Sequence, residues 1–338
     1  MTIEQFVLAN PSAENMFRSI VLFGRNVASY KFSLANTLVE FASRGQEVIP
    51  ISALAGPFSE SICEHLKLAP KQGTSSQSRF LNECARFNRG EVSKEELNEV
   101  TAKLGFQNVI DAFHRVGSTD VATRFFLDER TSQTPSIVLT AEMFTLVDTA
   151  KASALQEIES RWRLVETAWE LGATTGIIGF DSASGELVLP ARRRSITSAR
   201  SALNGYQKGK CFYCYRVISI DTKATDLADV DHLFPHVLER RGLTTNLDGV
   251  WNLVLACQSC NRGANGKFDS TPAIKYIDRL SQRNEYLILS HHPLRETLLN
   301  QTGNTPESRR QFLQEKLQVA STYQAIPWST DAVETASF

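Results

Sequence analysis

The runs C-F-Y-C from Cys211 to Cys214, D-V-D-H from Asp229 to His232 and W-N-L-V-L-A-C-Q-S-C-N-R-G-A-N-G-K from Trp251 to Lys267 decide how this chain is read. Zinc takes four ligands in a tetrahedron, and a Cys-x-x-Cys turn sets two thiolates at a workable separation with little strain. Cys211 with Cys214, and Cys257 with Cys260, therefore supply a complete four-thiolate set, closed to substrate and so structural. In a module this small the ion would furnish much of the folding free energy. A redox reading of the pairs would need a thioredoxin-like βαβ context, which the flanking sequence lacks. The other cysteines, Cys63 and Cys84, stand alone on helical patterns and read as small buried side chains.

Between the cysteine pairs lies a second set of chemistry. Ala228 to Phe234 is apolar around Asp231 and His232, and Pro235 follows, which places the pair at a strand end. Adjacent strand residues point to opposite faces, so both reach one phosphate only where the strand bends, and the Phe-Pro step allows that. Asn252 leads a short apolar run into the second cysteine pair, and residues 261–267 are expected to begin a helix that completes a ββα unit. Asp229 reads either as a further contact to a metal or as a solvated strand end. His236 receives no role.

The order D-H, then N, then C-x-x-C-N and a downstream Lys resembles the HNH endonucleases stapled by a four-cysteine zinc site, over about one sixth of the chain. The resemblance implies a metal-dependent endonuclease or nickase that hydrolyses DNA phosphodiester bonds. It implies His232 as general base, Asp231 as ligand of the catalytic divalent ion, and Asn252 as the residue orienting the base-bearing loop. Asn261 stands where the last histidine of the family name is usual. A similar Asn occurs in the HNH domain of RNA-guided CRISPR nucleases, where it ligates the metal. An amide oxygen suits Mg2+ or Mn2+ better than Zn2+, because hard cations prefer oxygen. Three additional residues separate Gly263 from Lys267 relative to the family pattern. The layout is also similar to that of nucleases in bacterial anti-phage defence or restriction, with other defence proteins as implied partners. A nuclease of mobile elements is the alternative setting, and a zinc module that only binds nucleic acid or a partner protein is the alternative function.

Net charge is -1, which argues against a protein that coats nucleic acid. The distribution says more: from Arg192 to Arg216 there are seven basic residues and no acidic one. Such a stripe can meet a polyanion or can simply be a solvated helix face. Arg200, Lys208, Lys210, Arg262 and Lys267 are the expected DNA contacts. With 42% hydrophobic and 22% charged residues, no long apolar run and no secretory pattern at the start, the expectation is a globular, cytoplasmic protein without a membrane partner.

Residues 1–190 are expected to form a mainly helical domain for targeting or control, 191–275 the nuclease module and 276–338 helices packed on it, an α+β chain. Apolar spacing predicts helices through Phe17–Phe23 and Tyr30–Phe41, with Gly45 as a stop, and a short helix over Ser59–Leu68. The segment 69–78 has the composition of an exposed linker. Ser93 and Glu96 form a capping-box signature, and Gly105 ends the apolar stripe behind it. A strand over Pro135–Thr140, helices over Ala141–Val147 and Leu155–Leu171, and a hairpin of Ile177–Phe180 with Leu187–Leu189 follow. His65 and His114 read as packing or surface residues. The run Ser290–Glu296 reads as a helix start, with two more helices reaching Ala320.

Overall fold

The computed structural model describes residues 11–23, 28–74, 78–116, 119–171, 178–189, 194–290, 292–331 and 334–338. Packing separates an N-terminal unit, Pro11–Gly172, from a C-terminal unit containing Ala173–Phe338. The fold is α+β, with helices toward both ends of the chain and short antiparallel sheets. Among the described residues no helix is long and apolar enough to cross a membrane.

In the N-terminal unit, helices α1 (Ala13–Phe23) and α2 (Tyr30–Ser43) follow the expected apolar spacing. Gly45, at a φ of 71°, supplies the left-handed turn that ends the second. Strand β1 (Val48–Pro50) leads into α3 (Ile51–Leu68), which starts eight residues before the expected Ser59. Leu54, Ala55, Phe58 and Ile62 bury one face of α3, and that burial carries the helix through Pro57 despite the lost backbone donor. Next come α4 (Arg79–Asn88) and α5 (Lys94–Val100), the latter opened by the Ser93–Glu96 capping box. A π-helical turn, Thr101–Gly105, closes that stripe. After α6 (Val109–Ala112), the two-residue strands β2 (Arg115–Val116) and β3 (Thr119–Asp120) pair. Strands β4 (Phe126–Glu129) and β5 (Ser136–Leu139) join β1 in the order β1-β5-β4. The two helices expected beyond β5 follow as the span α7 (Ala141–Leu171), divided by a kink at Ala150, whose φ of -144° and ψ of 18° are not helical.

The core of this unit is aromatic and carries a buried polar network. His65 stacks on Trp162 with ring centroids 3.5 Å apart, and its nitrogens reach Glu166 at 2.6 Å and Glu159 at 3.1 Å. Burial works against its charge, yet the bonds to Glu159 and Glu166 and their charges hold its pKa above the ordinary value. The 69–78 segment is exposed only in part where it is described, at Pro70, Lys71 and Thr74, while Ala69, Gln72 and Gly73 are buried. Gln72 enters the core, donating to Glu166 at 2.5 Å and accepting from Trp162 Nε1 at 2.9 Å, and so satisfies two polar groups that composition alone assigns to no partner. Residues 75–77 of that segment lie outside the described residues. Cys63 and Cys84 are buried, as expected.

The C-terminal unit opens with a hairpin, β6 (Gly179–Asp181) and β7 (Glu186–Leu189), turned at Gly185 with a φ of 73°. Ile177 of the expected hairpin lies outside the described residues. A third strand, β8 (Arg194–Ser198), adds to β7 and runs directly into α8 (Ala199–Gln207). Strand β9 (Asp229–His232) pairs antiparallel with β10 (Leu253–Ala256), setting His232 opposite Leu253 and Asp229 opposite Ala256. Helix α9 (Gln258–Arg262) follows at once. The helix expected over 261–267 thus lies earlier and stops at Arg262. Gly263 and Gly266 fold the chain back so tightly that a Cβ at either would lie within 3.0 Å of backbone atoms. Then α10 (Ile274–Leu289), α11 (Arg295–Thr302) and α12 (Pro306–Tyr323) complete the unit. In the Ser290–Glu296 run, α11 opens only at Arg295 and His292 is buried, while His291 lies outside the described residues.

Among the titratable groups of the N-terminal unit, His114 yields a prediction. It is 2% exposed, its Nε2 accepts the Phe125 N–H at 2.9 Å, and burial, helped by the Arg124 charge, lowers its pKa to about 4. The unfolded chain binds this proton near pH 6.5 and the folded one does not, so stability is fully present above that pH and falls toward pH 4. The loss is expected to reach roughly 3 kcal/mol at most. Denaturant titrations across this range should show a slope that His114→Gln, which keeps an acceptor, flattens. An unchanged slope in the variant would assign the loss to other groups.

Candidate functional site

The four cysteines of the two close pairs are buried, unbridged and convergent, with their sulfurs all within 4.8 Å of one another. Cys214 Sγ and Cys257 Sγ are 3.8 Å apart. The edge of a tetrahedron of thiolates around zinc, at a Zn–S bond of about 2.3 Å, is also about 3.8 Å, so the set fits a closed zinc site. Local backbone explains the placement. Lys208 and Gly209 take left-handed conformations after α8, and Cys211 N–H donates to Arg216 O at 2.8 Å across a tight knuckle. Cys257 caps α9, which carries Cys260 one turn on. Arg279 of α10 braces the first knuckle by donating to the carbonyls of Phe212 and Tyr213.

Strand β10 ties this cluster to β9. Gln207 bonds both the N–H and the C=O of Leu255 at 2.8 Å, and Arg283 donates to the carbonyls of Val250, Trp251 and Leu253. Asn252 is fully buried. Its Oδ1 accepts from Phe234 N–H at 2.8 Å, and its Nδ2 donates to Phe234 O and Leu247 O, each at 3.0 Å. It faces no solvent and positions the loop after His232.

Above β9 lies a cavity of about 300 Å3 lined by Phe180, Arg200, Asp229, His232, Asn261 and Arg262, with Ser182 and Gly185 of the β6–β7 turn at its rim. His232 Nε2 meets Asp248 Oδ1 at 2.9 Å. Burial, followed by the neighbouring His236, holds His232 below the ordinary histidine value of 6.5, against the opposing pull of Asp248. In the same cavity Asp229 Oδ2 accepts from Asn261 Nδ2 at 3.1 Å and from Arg262 Nε at 2.8 Å.

Asp231 is placed differently from the expectation. Its carboxylate accepts from the buried Tyr213 hydroxyl and from Lys267 Nζ at 3.2 Å, and it is not among the residues lining the cavity. Both oxygens are thus committed inside the fold, and Asp229 presents the carboxylate that Asp231 was expected to present. Lys267 is fully buried, donating also to His232 O at 2.9 Å and Phe268 O at 3.2 Å, so it is enclosed away from any DNA phosphate. Lys208 is buried as well, at the C-terminus of α8. Lys210 lies half-buried in the knuckle, bridged to Val217. Arg200 and Arg262 are the expected DNA contacts that reach the cavity. Among the described residues of the basic stripe, Lys208 and Lys210 are drawn into the fold and Arg200 reaches the cavity. Arg192 and Arg193 lie outside the described residues.

Sequence reading missed Asp248, which meets His232 from a turn, and Phe180 of β6 and Ser182, which line the same cavity as His232. Asp229 carried a signal, as the first carboxylate of D-V-D-H. No family model, no curated protein and no solved structure matches this chain.

Because the four sulfurs join the knuckle to β10 and α9, stripping the metal with a strong chelator is expected to unfold the C-terminal unit. Metal analysis with circular dichroism checks this, and Cys257→Ser should lose both the ion and the structure. Full helicity in a metal-free protein would refute the stapling role.

Proposed function

We propose that the C-terminal unit is a metal-dependent endonuclease or nickase of the HNH kind, acting on DNA phosphodiester bonds. The observation that carries this reading is one shared cavity, in which His232, paired with Asp248, faces Asp229, Asn261, Arg200 and Arg262. With Nε2–H donating to Asp248, the lone pair of His232 sits on Nδ1, the arrangement by which a carboxylate fixes a tautomer. Burial favours the neutral ring. Nδ1 then takes a proton from the water that attacks phosphorus. Arg200 and Arg262 offer charge-assisted hydrogen bonds to the non-bridging oxygens. The carboxylate of Asp229 and the amide oxygen of Asn261 form the oxygen set that would hold Mg2+ or Mn2+, whose charge offsets that developing on the phosphate.

A second reading, a zinc-stapled module that binds nucleic acid without cutting it, is favoured by one observation. Asp231, the family's metal-binding carboxylate, is committed to Tyr213 and Lys267.

Plasmid incubated with the protein and Mg2+ should be nicked or cut, and His232→Ala should slow this by about 100-fold or more. Asp229→Asn is expected to lower the rate with little change in melting temperature. Asp231→Asn should mainly lower the melting temperature, since it leaves the buried Lys267 ammonium without a carboxylate. DNA that is retarded on a gel yet intact in both Mg2+ and Mn2+ would establish the binding module instead. Equal cleavage by His232→Ala would remove that residue as base.

A further inference from the structure

Beside the cavity three side chains from separate segments converge. His232 ends β9, His236 opens the 3-10 turn His236–Arg241, and Asp248 lies in the turn before β10. Their ligand atoms all lie within 4.8 Å of one another. Both imidazoles address the same oxygen: His232 Nε2 stands 2.9 Å and His236 Nε2 3.2 Å from Asp248 Oδ1. Nitrogen and oxygen ligands bound to zinc at about 2.0–2.1 Å lie about 3.3–3.4 Å from one another in a tetrahedron, so small side-chain movements close such a site. A second observation also points to an ion. His236 Nδ1 meets Glu239 Oε1 at 3.3 Å, so a carboxylate orients the outer nitrogen of this imidazole and frees Nε2 as a ligand, the usual support behind a metal-bound histidine. The two rings, 4.4 Å apart between centroids, hold this geometry edge to face.

We infer that His232, His236 and Asp248 form a second metal site, separate from the four cysteines, that takes one borderline transition-metal ion of the Zn2+, Co2+ or Ni2+ kind. Two imidazoles and one carboxylate suit these ions over Mg2+, and three protein ligands leave a position for water. The site bears on the proposed nuclease function, and this part of the inference rests on that reading. A neutral imidazole carries one N–H. An ion on Nε2 of His232 takes that nitrogen's lone pair, so the remaining proton sits on Nδ1, which can then no longer accept the proton of the attacking water. The ion also draws Asp248 from its orienting bond. Zn2+ at this place is therefore an inhibitor that acts by occupying the base, while Mg2+ at Asp229 and Asn261 supports cleavage.

Metal counting tests the site independently of cleavage. Purified protein equilibrated with buffered Zn2+ in slight excess is expected to hold two ions per chain, against one for His236→Ala and for Asp248→Asn, with the thiolate-bound ion retained in all three. A count of one in the unsubstituted protein, or of two in both variants, overturns the site. For activity, Zn2+ added to Mg2+-dependent cleavage should inhibit the unsubstituted protein at about tenfold or more lower concentration than His236→Ala. Equal sensitivity of the two, with the second ion present in only one, overturns the assignment of the ion to His232. Absence of cleavage by either protein in Mg2+ would count against the nuclease reading, and the ion count would still decide the metal site.

Discussion

Four buried sulfurs drawn from two distant segments are the constraint on which the C-terminal unit depends. Unbridged thiols this close are stable only when they share a cation or hold their protons, and their spacing matches a zinc tetrahedron. The first pair sits on a knuckle whose Phe212, Tyr213 and Tyr215 are buried, and the second caps α9 at the end of β10. A shared ion would make the two segments one rigid piece. Strand β9, held by β10, then has a fixed backbone from which His232 and Asp229 are displayed.

Around those cysteines, buried polar side chains fix the backbone within an apolar core that includes Phe212, Phe234, Trp251, Leu253 and Leu255. Asn252 satisfies three backbone groups of the turns flanking β9, and Arg283 satisfies three carbonyls at the start of β10. Lys267 closes the other face by meeting Asp231 and the carbonyl of His232. Each of these groups would cost free energy if left unpaired in the interior. Asn252 and Lys267 bond the backbone at Phe234 and His232, beside the cavity-lining His232, so bonds that hold the fold also hold the site.

Much of this was legible from residue order. The cysteine spacing, the strand at D-V-D-H, the capping box at Ser93 and the amphipathic segments of the N-terminal unit are local signals, and local structure follows them. Strand β8 was not legible, because its residues carry no alternation and it forms by pairing with β7. Nor was the place of the kink at Ala150, since the residues on either side of it are all compatible with a helix. Gln72 sits in a polar segment with loop composition, and its burial answers the needs of Trp162 and Glu166, which lie far away in the chain.

For the site, the sequence by itself determined which chemical groups are present and which strand and turn carry them: four thiols in two knuckles, an imidazole at a strand end and an amide in the helix after it. Only the tertiary structure decided which carboxylate each of them meets. Asp229 and Asp231 lie two residues apart on one strand, yet Tyr213 and Lys267 capture Asp231 inside, while Asn261 and Arg262 hold Asp229 at the cavity. Asp248 reaches His232 from a loop whose path no local signal encodes. The physical reason is the range of the forces: spacing and propensity act over a few residues, whereas hydrogen bonds between buried groups choose partners by where the whole chain has placed them.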